Sequence, residues 1–167
     1  KDPGVVIEPV ALADKPGTAQ IAVCDKDPTI STMSDRWQSE GRFSDQEWAR
    51  HETVTVTTLD HLIDSHGRPA FCKVDVEGFE KQVLEGLSSP LACVSFEFTQ
   101  EFLSEAKACI GVLEELAPVS VNASLGESMQ LMGEWTSPEA LLDSISRLSE
   151  TQYWGDIYVR SPDISAY

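Results

Sequence analysis

Short apolar runs alternate with amphipathic stretches from Thr53 to Arg160, and this alternation restricts the fold more than any other feature. A β-branched run at Thr53–Val56 is followed by a helical stretch with Leu59, Leu62 and Ile63 on one side and Gly67 as its stop. Thr57-Thr58-Leu59-Asp60 has the form of a capping box, with Thr57 as cap and Asp60 in place of the usual glutamate. The pattern continues with a strand at Ala70–Val76, a helix at Phe79–Leu87 and a strand at Leu91–Phe98. A helix follows at Glu101–Leu116, where Phe102, Leu103, Ala106, Cys109, Ile110, Leu113 and Leu116 obey the i, i+3, i+4, i+7 rule. Val119–Ala123 and Met129–Met132 read as strands, Ser137-Pro138 opens a helix through Leu148, and Asp156–Arg160 reads as a last strand. Strands and helices in this order predict an α/β domain with a parallel sheet covered on both faces.

The N-terminal quarter is less regular. Lys1-Asp2-Pro3-Gly4 reads as a loop, Val5–Ile7 and Val10–Leu12 as an extended apolar segment, Asp14–Gly17 as a turn and Thr18–Cys24 as a strand. Asp25–His51 is a long polar excursion carrying Trp37 and Trp48, either a lid or a mobile surface loop. With 41% hydrophobic residues in 167, the chain suits one domain, and no apolar run nears the ~20 residues that span a bilayer. Its 28 acids against 12 bases give a net charge of -16, which repels nucleic acid and anionic membranes as partners. Cys24, Cys72, Cys93 and Cys109 form no CxxC pair and read as free thiols, which fits a cytoplasmic protein.

Chemistry is expected where strands end, because parallel sheets bind ligands beyond their carboxyl ends. In Phe71–Gly78, alternation puts Cys72, Val74 and Val76 on one face and Lys73, Asp75 and Glu77 on the other. The next strand repeats the division, with Val94, Phe96 and Phe98 opposite Ser95 and Glu97. A purely structural arrangement would pair Lys73 with Asp75 and leave Glu77 and Glu97 solvated or capping a helix. A carboxylate-lined pocket mouth is the alternative, since ionisable groups on a central strand are costly unless paired or functional. His51, His61 and His66 form no metal-ligand pattern and read as surface residues.

Lys73-Val-Asp-Val-Glu-Gly-Phe-Glu80, with Val83-Leu84 and Gly86-Leu87 after it, resembles the hallmark segment of FkbM-type methyltransferases. Val10-Ala11-Leu12 running into the Asp14–Gly17 turn, Val56–Asp60, and Trp154–Tyr158 agree with that family in the same order. The resemblance implies a Rossmann-like class I methyltransferase sheet, mostly parallel with a late antiparallel strand, and S-adenosylmethionine as cofactor. It also implies that residues 1–167 form a single incomplete domain, entered near the third strand with Glu8 in it, because no Gly-rich cofactor turn is found.

By the same resemblance, Asp75 would lie beside cofactor and acceptor, with Ala11 and Leu12 bordering the adenine. Lys73, Asp75, Glu77 and Glu97 are the candidate catalytic residues. An ordinary aspartate (pKa ~3.9) is a poor base unless burial or neighbouring carboxylates raise it. Glu77 and Glu97 could do so, and Lys73 would oppose them. A divalent cation on Asp75 and Glu77 is chemically admissible. The function implied is O-methylation of a hydroxylated small molecule or sugar. Two alternatives stay open: a non-catalytic module whose exposed sheet edge pairs with a second copy, and a metal-dependent hydrolase using Asp75, Glu77 and Glu97. Trp154 reads as a packing anchor.

Overall fold

The computed structural model describes residues 4–148 and 153–164. Lys1–Pro3, part of the expected opening loop, lie outside the described residues. The chain forms a mixed α/β structure with two sheets. In the first, β1 (Ala11–Leu12), β3 (Arg50–Thr57) and β2 (Gly17–Val23) lie in that order, β1 parallel and β2 antiparallel to β3. In the second, the order is β4 (Cys72–Val74), β5 (Cys93–Thr99), β7 (Trp154–Arg160), β6 (Ser120–Leu125). There β4 and β5 are parallel, while β7 is inserted antiparallel to both β5 and β6.

The expected late antiparallel strand is present, but the sheets are not mostly parallel. Among the described residues two strand pairings are parallel and three antiparallel. One cause is local: only Ala13–Pro16 separate β1 from β2, and a parallel crossover needs about a dozen residues. Val5, Val6 and Ile7 join no strand and are exposed, and Glu8 precedes β1 rather than lying in it. Met129–Met132 also forms no strand. It contributes one isolated bridge, Ser124 to Leu131, and Met129 has a positive φ that no ladder sustains.

Helices α3 (Glu80–Leu84), α4 (Leu103–Leu116) and α5 (Pro138–Ser146) pack with the second sheet. Their stripes meet Val74, Val94, Phe96, Phe98, Val121, Ala123, Ile157 and Val159 to form the core. The predicted cap at Ser137 is observed, its side chain accepting from the Ala140 amide with proline at the first turn. In α2 (Leu59–His66) the cap is Thr58, not Thr57, and its hydroxyl accepts from the His61 amide. Thr57 is still the last residue of β3, so its backbone is committed to the ladder. Asp60 does not close a capping box either. Its carboxylate accepts from the Ser88 amide at 3.0 and 3.1 Å, tying α2 to the segment after α3. Gly86 completes this joint, because a Cβ there would collide with the Ala13 carbonyl.

The Asp25–His51 excursion is built, not bare. It contains 3-10 turns at Pro28–Ile30 and Gly41–Phe43 and helix α1 (Asp35–Ser39), which Ser34 caps. Ile30, Thr32 and Trp37 are buried in it.

Candidate active site

Beyond Val74 the chain leaves the strand through two residues with positive φ, Glu77 at 55° and Gly78 at 84°. Left-handed backbone is costly for a glutamate, and two groups hold it in place. The buried Glu80 carboxylate accepts from the Val76 and Gly78 amides at 3.2 and 3.1 Å. The Thr32 hydroxyl donates to the Glu77 carbonyl at 2.6 Å. Gly78 has a second reason to lack a side chain: a Cβ would come within 2.7 Å of the Trp37 ring. The turn is therefore clamped from below by α3 and from above by the 28–43 segment.

That clamp presents the carboxyl groups. Asp75, Glu77 and Glu97 each offer an oxygen within 4.8 Å of the others. Lys73 lies 3.2 Å from Asp75 and 3.4 Å from Asp156. Both arrangements foreseen for this face thus coexist: the lysine is paired, and the glutamates converge instead of dispersing. Asp156 arrives because β7 places it directly opposite Glu97.

Burial pushes the Glu77 carboxyl up to about 8, with the nearby charges of Glu97, Asp75, Glu80 and Asp27 adding to the effect. Burial likewise pushes Glu97 up to about 7, helped by Asp75, Glu80 and Asp156 and opposed by Lys73. A carboxyl titrating near neutrality is matched to proton transfer at physiological pH. Burial also raises Glu80, against its two amide hydrogen bonds.

Two cavities open onto these groups, and Trp37, Glu97 and Thr99 line both. One, of about 140 Å³, reaches between Arg36, Gly78, Phe102 and Cys109. The other, of about 310 Å³, takes in Ile30, Arg42, Phe43, Glu77 and Trp154. Trp154 is thus a cleft-lining residue as well as the first residue of β7. The Trp37 indole nitrogen is buried without a hydrogen-bond partner among the described residues, an arrangement that costs about 1–3 kcal/mol.

Ala11 and Leu12 are half-buried on β1 in the other sheet, and neither lines these two cavities. His51, His61 and His66 are exposed, and His66 pairs with Glu8 at 2.9 Å. All four cysteines are free. No helix among the described residues is long and apolar enough to cross a membrane.

Glu80 closes the hallmark segment but was given no role there, although its spacing to Val83, Leu84 and Leu87 is i, i+3, i+4, i+7, the mark of a buried position. Thr32 and Trp37 read only as part of the Asp25–His51 lid or loop, and Asp156 only as part of the last strand and the Trp154–Tyr158 match, none of them as a site residue. Only chain pairing and packing bring those three to the site, and no local pattern marks them.

As a donor set, three converging carboxylates suit a cation. They fit the sulfonium and ammonium end of S-adenosylmethionine, and would equally accept a hard divalent ion. No Gly-rich strand-to-helix turn occurs among the described residues, so the fit concerns that cationic end. Comparison with known proteins agrees in kind: the methyltransferase FkbM domain family matches residues 3–130. No curated protein and no solved structure matches the chain.

Proposed function

The chain belongs to the methyltransferase FkbM domain family, and from that premise we propose S-adenosylmethionine-dependent transfer of a methyl group to a hydroxyl of a small molecule or sugar. The observation that carries this reading is the convergence of Asp75, Glu77 and Glu97 beside a cleft, two of them titrating near neutrality. The cofactor, when bound, supplies a methyl group on a positively charged sulfur. Carboxylates touching that sulfur would favour the ground state, whose charge disappears during transfer. Their useful roles are therefore alignment and proton removal.

Glu97, which borders both cavities, would take the proton of the acceptor hydroxyl. Asp75 and Glu77 would hold the cationic end of the cofactor. Lys73, fixed between Asp75 and Asp156, keeps Glu97 from rising further. Ala11 and Leu12 keep the more distant role of bordering the adenine.

The test is calorimetric titration of the complete protein with S-adenosylmethionine, followed by methyl transfer to a panel of hydroxylated acceptors. Binding, with transfer lost in Glu97→Gln, is expected. An absence of cofactor binding would sink the reading. Activity abolished by chelators in the absence of cofactor would favour the metal-dependent hydrolase instead.

A further inference from the structure

The larger cavity carries information about the acceptor that the methyl-transfer chemistry alone does not. Three aromatic residues, Trp37, Phe43 and Trp154, line it beside Ile30, Thr29, Thr99 and Arg42. Trp37 and Phe43 are fixed against each other, with ring centroids 4.8 Å apart. Aromatic faces next to hydrogen-bonding acids suit a ring with apolar C–H faces and a rim of hydroxyls.

The cations around the site are already committed. Arg42 forks onto Glu101 at 2.9 and 2.8 Å and also donates to the Tyr153 carbonyl. Arg36 is shared between Glu40 and Glu105, and Lys73 between Asp75 and Asp156. A phosphate or carboxylate entering the cleft would have to break an existing ion pair to gain a cationic partner, and above about pH 8 it would also meet ionised Glu77 and Glu97. The buried Trp37 N–H, by contrast, is a neutral donor that lacks an acceptor among the described residues.

We propose that this cleft, between residues 28–43 and the ends of β5 and β7, is the acceptor subsite and takes an uncharged polyhydroxylated ring. The occupant is a sugar or cyclitol without phosphate or carboxylate. Its apolar C–H faces lie against Trp154 and the edges of the stacked Trp37 and Phe43 rings, and its hydroxyls donate to Glu97 and Glu77. This assignment rests on the methyl-transfer reading for its reaction, but not for its binding.

Saturation-transfer NMR on the full chain tests it with methyl β-D-glucopyranoside, methyl α-D-mannopyranoside and myo-inositol, against glucose 6-phosphate and glucuronate, all at millimolar concentration. At least one neutral probe is expected to bind, and the anionic probes should bind at least about tenfold more weakly at low salt. Trp154→Leu removes one wall, and Trp37→Phe keeps a ring while deleting the N–H. Each should weaken the neutral probe several-fold without changing the circular dichroism spectrum. The proposal is overturned if no neutral probe binds, if the anionic ones bind as well, or if both variants bind normally. Binding of neutral rings by a complete protein that transfers no methyl would leave the subsite intact and remove the enzymatic reading. Methyl transfer to a phosphorylated acceptor would do the reverse.

Discussion

The second sheet has two faces that share every strand and differ in almost everything else. On one, Val74, Phe96, Ile157 and Ala123 lie in register and are buried in the helix-covered core. On the other, the same registers align Lys73 with Ser95, Tyr158 and Asn122, and Glu97 with Asp156 and Ser124. Moving one residue along β5, from Phe96 to Glu97, crosses from packing to chemistry. The apolar face gains stability from burial and has no freedom of composition. The polar face sets like charges opposite one another, an arrangement that costs stability and so calls for a functional account.

Substitutions at adjacent positions should separate the two faces most sharply. Phe96→Ala is expected to cost about 3–5 kcal/mol in urea unfolding. Glu97→Gln, which fixes this carboxyl as its neutral isostere, should not destabilise the fold at neutral pH, yet lower methyl transfer about 10²–10⁴-fold. Equal effects on stability would erase the distinction.

The turn joining the faces comes next. Gly78→Ala adds strain at a φ of 84° and presses on Trp37, for an expected loss of about 1–3 kcal/mol. A thermal melt identical to the parent would show that the clamp is loose.

The polar face should also give the fold its pH dependence. Folded, Glu97 and Glu77 keep their protons up to about pH 7 and 8, while in the unfolded chain they release them near ~4.3. The folded state binds more protons across that window, so stability is greatest below it and falls as pH rises through it. The fall is on the order of several kcal/mol. The Glu77→Gln, Glu97→Gln double variant should flatten the denaturation midpoint against pH, and an unchanged slope would assign it to other groups. The smallest effect expected is at the α2 cap: Thr58→Ala should cost about 1 kcal/mol, and Thr57→Ala less.

Much of this contrast was legible before any fold was known. The alternation at Lys73 and Val74, echoed at Ser95, Phe96 and Glu97, put the right residues on the right sides because strand geometry alone sets that period. The strand read as Ala70–Val76 ends at Val74, so Glu77 is placed by the turn and not by alternation. The helices from Leu103 and Pro138 were legible for the same kind of reason. Pairing was not. Nothing local tells β2 to run against β3, or β7 to bring Asp156 to Glu97. The 25–51 segment was read as a lid or a mobile surface loop because its composition is polar, and that composition did not show that Thr32 and Trp37 are buried by what they pack on. Met129–Met132 had the residues of a strand but no ladder to join beyond one bridge.

The central claim is that Glu77 and Glu97 form one electrostatic unit beside the cleft, and carbon-13 NMR titration of the glutamate carboxyls tests it without cofactor or substrate. The expected result is two carboxyls titrating near 8 and 7, with the Glu77 value falling when Glu97 is replaced by glutamine. Both titrating with the surface glutamates near ~4.3, indifferent to that substitution, would contradict the account.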